Sequence, residues 1–86
     1  MPTVIAVHEV DDVDHWLASP EREEFFGPLG MTGRTFRHEA GSNRVGLIIE
    51  TPSMEALQAA LATEEAADAM KQDGVRPETM TILVEA

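Results

Sequence analysis

Short apolar or alternating runs are separated along this chain by segments whose apolar positions recur at helical spacing. Val4, Ile5, Ala6 and Val7 lie in a run from Thr3 to Val10 that charged residues close. Such a β-branched run predicts a strand apolar on both faces, and therefore a central one. Asp11 or Asp12 stands where a helix needs its cap, with Val13, Trp16 and Leu17 following on one face at i, i+3 and i+4. Ser19 and Pro20 form a second start signal, because proline at the first helical position loses no needed hydrogen bond. The first helix is thus expected to break near Ser19 and to resume from Pro20 to about Phe26. Gly27, Pro28 and Gly30 then end it in a turn.

From Thr32 to Glu39 residues alternate, with Arg34, Phe36 and His38 on one face and Thr35, Arg37 and Glu39 on the other. So polar a strand belongs at a sheet edge. Ala40, Gly41, Ser42 and Asn43 supply hairpin-loop chemistry, and Arg44 to Glu50 returns as an apolar strand through Val45, Leu47, Ile48 and Ile49. Pro52 and Ser53 start a helix on which Met54, Leu57 and Leu61 keep helical spacing. Thr63 is a fresh cap, Glu64 and Glu65 suit the positive end of the helix it starts, and Gly74 is placed to stop that helix. Thr79 to Glu85, with Ile82, Leu83 and Val84, reads as the last strand.

The predicted order is β-α-β-β-α-β, an α+β chain of the split βαβ or ferredoxin-like kind, occupying residues 1–86 as one domain. Right-handed crossovers are expected to set strands 1 and 3 parallel at the centre, with strands 2 and 4 at the edges. The helices cover one face of this four-stranded sheet. Strands 1, 3 and 4 nevertheless carry apolar residues on both faces, and an uncovered apolar face of that kind usually marks an interface. Two copies packed sheet to sheet, a homodimeric α+β barrel, would bury it. Trp16, Leu17, Leu57 and Leu61 are the expected core between helices and sheet.

Charge narrows the partners. Sixteen acids against six Lys and Arg give a formal charge of −10, which a nucleic-acid backbone or an anionic membrane would repel. Hydrophobic residues at 43% and charged residues at 26% suit a folded globular domain. The absence of cysteine excludes disulfides, thiolate metal sites and a cysteine nucleophile. Met1 to Val10 lacks the basic region of a signal peptide, and no apolar run approaches the ~20 residues of a membrane span, so a cytoplasmic protein is expected.

The segment His8, Glu9, Val10, followed by Asp12 and Trp16, resembles the start of small bacterial proteins of the dimeric α+β barrel superfamily. The likeness continues in Asn43, Arg44, Val45 and in Glu64 to Val75, and so spans nearly the whole chain. It implies a ferredoxin-like barrel dimer related to antibiotic biosynthesis monooxygenases and polyketide cyclases. The superfamily also holds haem-degrading enzymes, whose Asn, Trp and His arrangement cannot be placed here. Fold does not choose among these activities.

His8 is the leading candidate for chemistry. It shares a face with Val4 and Ala6, expected to line the barrel interior, where burial would keep the imidazole neutral and suited to act as a base. With strands 1 and 3 taken as parallel, Glu50 and Arg34 are expected at the same end, orienting a substrate carbonyl or stabilising an enolate. Cyclases of this fold also use a cavity histidine, as the resemblance implies. The competing reading is a histidine at the core edge, bonded to a backbone carbonyl. Trp16 and Phe36 are the candidate ligand contacts, although a lone Trp at helical spacing with Val13 and Leu17 is more often simply core.

His8, Glu9, Asp11, Asp12, Asp14 and His15 are metal-ligand types, but they lack a second histidine on one helical face, so no metal is expected. His38 is expected at the end of strand 2 far from His8, in solvent. No glycine pattern follows a strand as a phosphate loop requires and no nucleophile triad can be argued; that no cofactor is needed is what the resemblance to cofactor-independent monooxygenases implies. The reading is a cofactor-independent monooxygenase or cyclase acting on a small apolar carbonyl or aromatic compound. The alternative is a non-catalytic dimer that binds a small apolar ligand or serves as an interaction module.

Overall fold

The computed structural model describes residues 2–86. In chain order its elements are β1 (Thr3–Val10), α1 (Val13–Ala18), α2 (Glu21–Phe26), a 3-10 turn (Gly27–Leu29), β2 (Thr32–Arg37), β3 (Arg44–Glu50), α3 (Met54–Leu61), α4 (Glu64–Gln72) and β4 (Val75–Val84). One four-stranded sheet forms in the order β2-β3-β1-β4, and every neighbouring pair is antiparallel. This is the ferredoxin-like α+β arrangement.

Local signals start the helices. Asp12 accepts from the His15 amide, Ser53 from the Ala56 amide and Thr63 from the Ala66 amide, each satisfying a donor that the first helical turn leaves free. At the other end of α4, Gly74 takes φ +71°, a conformation that suits glycine, and its carbonyl accepts from the Asp11 amide at 2.9 Å. That bond ties the end of α4 to the end of β1.

The strand directions correct one expectation. β1 and β3 are antiparallel, with Thr3 opposite Glu50 and His8 opposite Val45. The crossover makes β1 and β2 the parallel pair, and β3, returning from β2 through a hairpin, lies between them in the opposite direction. Two boundaries also move. β2 stops at Arg37 rather than Glu39, and β4 begins at Val75 rather than Thr79. The early part of β4 is irregular, since Val7 faces Thr81 while Glu9 faces Arg76. Pro77 has no amide proton to give a ladder and lies in this extra stretch. Thr79 Oγ1 fills the gap by accepting from the Glu9 amide at 2.9 Å.

Side chains of β1 alternate strictly. Val4, Ala6, His8 and Val10 are buried beneath the helices, while Ile5 is exposed on the opposite face. Two core clusters result. One joins Val4, Ala6, Leu47 and Ile49 to Phe26, Met31, Leu57 and Ala60, and the other joins Val10, Val45 and Trp16. Trp16 and Leu57 are core as expected and Leu61 packs at its margin, but Leu17 is 36% exposed. Helix α1, at six residues, is less than two turns long, and Trp16 is its one buried residue.

Among the described residues, no layer covers the other sheet face. By register Ile5, Ile48, Phe36 and Leu83 share it, and Ile5, Phe36 and Leu83 are exposed. Among the described residues, no helix is long and apolar enough to cross a membrane.

Candidate functional site

His8 occupies the gap between the two core clusters. Its neighbours two positions away, Ala6 and Val10, belong one to each cluster, and beside it a cavity of about 80 Å3 opens between the sheet and the helices. Ala6 is small, which leaves this space. The wall is hydrocarbon from Leu47, Ile49, Leu57, Met70 and Met80, with a polar end made by His8, Arg22 and Asp73 beside Trp16.

His8 is 3% exposed, and its ring meets Trp16 edge to face with centroids 5.6 Å apart. Its Nδ1 is buried without a hydrogen-bond partner. Burial pushes the pKa below the ordinary 6.5, the adjoining Glu9 backbone opposes this, and the Arg22 charge adds to the lowering. The imidazole is therefore neutral at pH 7, and a neutral ring keeps one nitrogen as an acceptor.

Arg22 is held from three sides. Its guanidinium lies 4.3 Å from the Trp16 ring centroid, Nη2 donates to the Trp16 carbonyl at 2.6 Å, and Nη1 donates to Asp73 Oδ2 at 3.3 Å. Both side chains of the ion pair are shielded, at 15% exposure for Arg22 and 5% for Asp73. Burial lowers the pKa of Arg22 and Asp73 opposes that shift. Asp73 Oδ1, like His8 Nδ1, is buried without a partner. A wider groove of about 740 Å3 runs beside β2, and Arg22 and Phe26 line both spaces and so form the wall between them.

The remaining sequence candidates are elsewhere. His8 faces the helices rather than the open face where a sheet-to-sheet barrel would have its interior. Glu50, opposite Thr3, is at the other end of the sheet, because β3 runs against β1. Arg34 pairs with Ile48, which in turn faces Ile5, so it lies on the open face toward that same other end. Phe36 is also on the open face, 47% exposed, with the Arg34 guanidinium 5.9 Å from its ring centroid. None of these three reaches His8; only Trp16 among the other candidates does.

Two histidines have local roles. His15 Nε2 bonds the Gln72 carbonyl at 2.8 Å, joining α1 to α4. His38 is exposed as expected, but the hairpin it borders is at the His8 end of the sheet, since Arg37 faces Val45 and Val45 faces His8. Among the described residues, no three His, Cys, Asp or Glu side chains gather as a metal site.

Sequence reading missed Arg22 and Asp73. Arg22 is a lone cation within the acidic helix Glu21–Phe26, and Asp73 precedes the glycine that ends α4. A single base among acids was the available signal, but its partner is 51 positions away.

No protein-family model and no curated protein matches the sequence. Solved structures do match its backbone. A structure described as an antibiotic biosynthesis monooxygenase superposes with a TM-score of 0.67 at 17% identity, covering 100% of this chain and 97% of that one. Protein Atu4242 from Agrobacterium tumefaciens gives 0.67 at 16% identity, with 100% and 92% covered. Rv0793 from Mycobacterium tuberculosis gives 0.61 at 14%, with 100% and 94% covered. Identities this low speak for the backbone alone, and the chain has the ferredoxin-like α+β fold of the antibiotic biosynthesis monooxygenase proteins.

Proposed function

We propose that this protein is a small cofactor-independent monooxygenase or cyclase in which His8 is the base. The observation that carries this reading is the free, buried Nδ1 of His8 at the polar end of a cavity whose remaining wall is largely hydrocarbon. With its proton on Nε2, the ring accepts a proton at Nδ1 from a carbon beside a carbonyl or phenol group. The negative charge then spreads onto the substrate oxygen. Arg22 is the cation of the cavity, and its guanidinium, partly offset by the Asp73 carboxylate it holds, favours that anion. In the oxygenase version the carbanion adds dioxygen to give a peroxide. Loss of water, with the carbon's second hydrogen leaving as a proton, turns a CH2 group into a carbonyl.

We also infer that two copies pair through the open sheet face. Ile5, Phe36 and Leu83 are exposed there, and burying an exposed apolar face is the usual drive to a two-fold dimer.

A second reading draws on the size of the cavity. Ligand pockets for drug-sized molecules run from about 300 Å3 upward, and about 80 Å3 is far below this. A non-catalytic protein holding a compact apolar molecule fits that volume equally. A thermal-shift screen of small carbonyl and phenolic compounds, followed by oxygen uptake with the hits, separates the two. The base assignment requires turnover by the wild type and its loss in His8→Gln, which keeps a hydrogen-bonding side chain without the basic ring. Equal turnover in both rejects it.

A further inference from the structure

Asp73 Oδ1 and His8 Nδ1 are both buried without protein partners, their residues are each 3% exposed, and both residues line the one small cavity. Leaving a buried acceptor unpaired is costly, so such groups normally meet a partner. Arg22 occupies the other oxygen of Asp73, Oδ2, and thereby fixes the direction of the carboxylate. Oδ1 can then only accept. Apart from His8 and Glu21 the rest of the wall is largely hydrocarbon, with Leu57 opposite the sheet and the flexible thioethers of Met70 and Met80 able to yield to a shape slightly larger than the space.

We propose that Asp73 is the specificity-determining group of this cavity, selecting a one-ring phenol or similarly compact alcohol by accepting the hydrogen bond of its hydroxyl. This rests on the reading of the cavity as a ligand site and names the class of ligand. The ring of such a molecule fills the apolar part and its single donor meets Oδ1, the acceptor whose direction the Arg22 pair fixes. An ether or a hydrocarbon of the same size fills the space but leaves Oδ1 unpaired. Discrimination by a buried polar group against a ligand lacking its partner is far stronger than discrimination by shape.

The test is equilibrium binding of phenol, anisole and toluene, followed by NMR on the whole protein. Phenol donates and accepts, anisole only accepts, and toluene does neither. Wild type is expected to hold phenol at least about tenfold more tightly than anisole or toluene, as a hydrogen bond to a charged group implies. In Asp73→Asn the donor-only guanidinium of Arg22 draws the amide oxygen to the place of Oδ2, so an amide N–H replaces the acceptor at Oδ1. The preference should then vanish or turn toward anisole. Asp73→Ser, which withdraws the carboxylate, should also erase it. A purely structural role for Asp73 would weaken all three probes alike.

An undiminished preference in either folded variant overturns the proposal, as does a wild type that binds the probes equally. Ordered water that fills the cavity and excludes all three overturns it too. Because binding is measured without turnover, a phenol preference in a protein with no oxygen uptake sinks the base reading and leaves Asp73 standing. Turnover without the preference does the reverse.

Discussion

The His8 imidazole and the Trp16 indole meet edge to face, their centroids 5.6 Å apart and their planes at 80°. Arg22 covers the same indole 4.3 Å from its centroid. Trp16 is therefore both core and site. It packs with Val10 and Val45 in one core cluster and lines the cavity beside His8.

Stability should depend on pH through His8. Burial holds its pKa below 6.5, so between that value and the lowered one the unfolded chain binds the extra proton. Stability is then full above about pH 6.5, falls as the pH drops through this window, and levels once the folded imidazole also titrates. Urea unfolding from pH 8 to 5 should show this slope in the wild type and a flatter one in His8→Gln. His15 and His38 are present in both proteins and cancel.

Two leucines that look alike in sequence should behave differently. Leu57 is 2% exposed in the larger cluster, and Leu57→Ala should cost ~2–5 kcal/mol as buried leucines do. Leu17 is 36% exposed, so Leu17→Ala should cost under about 1 kcal/mol. Thermal melts of both variants decide it, and similar losses would place Leu17 in the core after all.

Breaking the shielded pair should cost more than replacing it whole. Arg22→Met leaves the Asp73 carboxylate buried without its cation, a loss of about 3 kcal/mol for pairs of this kind. Adding Asp73→Leu removes the stranded charge and should recover much of the loss. A double variant as unstable as the sum of the two singles would mean that the pair contributes nothing.

Association should run through the open sheet face. Light scattering at micromolar concentration is expected to give twice the chain mass, and Leu83→Asp, at a residue 52% exposed on that face, should return a monomer. A wild-type monomer under these conditions removes the barrel proposal.

The elements were legible in the sequence because their signals are local. Asp12, Ser53 and Thr63 each cap a helix that begins one residue later, and the break between the first two helices follows from Ser19 and Pro20. Strict alternation from Val4 to Val10 likewise assigns His8 to the same face as Val4 and Ala6, since side chains on a strand have a period of two. That period says which residues share a face, but not which face the helices cover. Only packing decided that His8 is under them. Strand direction was equally out of reach of local pattern, and with it went the grouping of His8 with Glu50 and Arg34. The crossover and the hairpin together make β3 oppose β1, which sends Glu50 and His8 to opposite ends. Arg22 in α2 and Asp73 just past the end of α4 are 51 residues apart, and neither helix's own pattern needs them. Their pairing exists because α2 and α4 close over the same cavity, and burial of two opposite charges is a property of the assembled layers rather than of either segment.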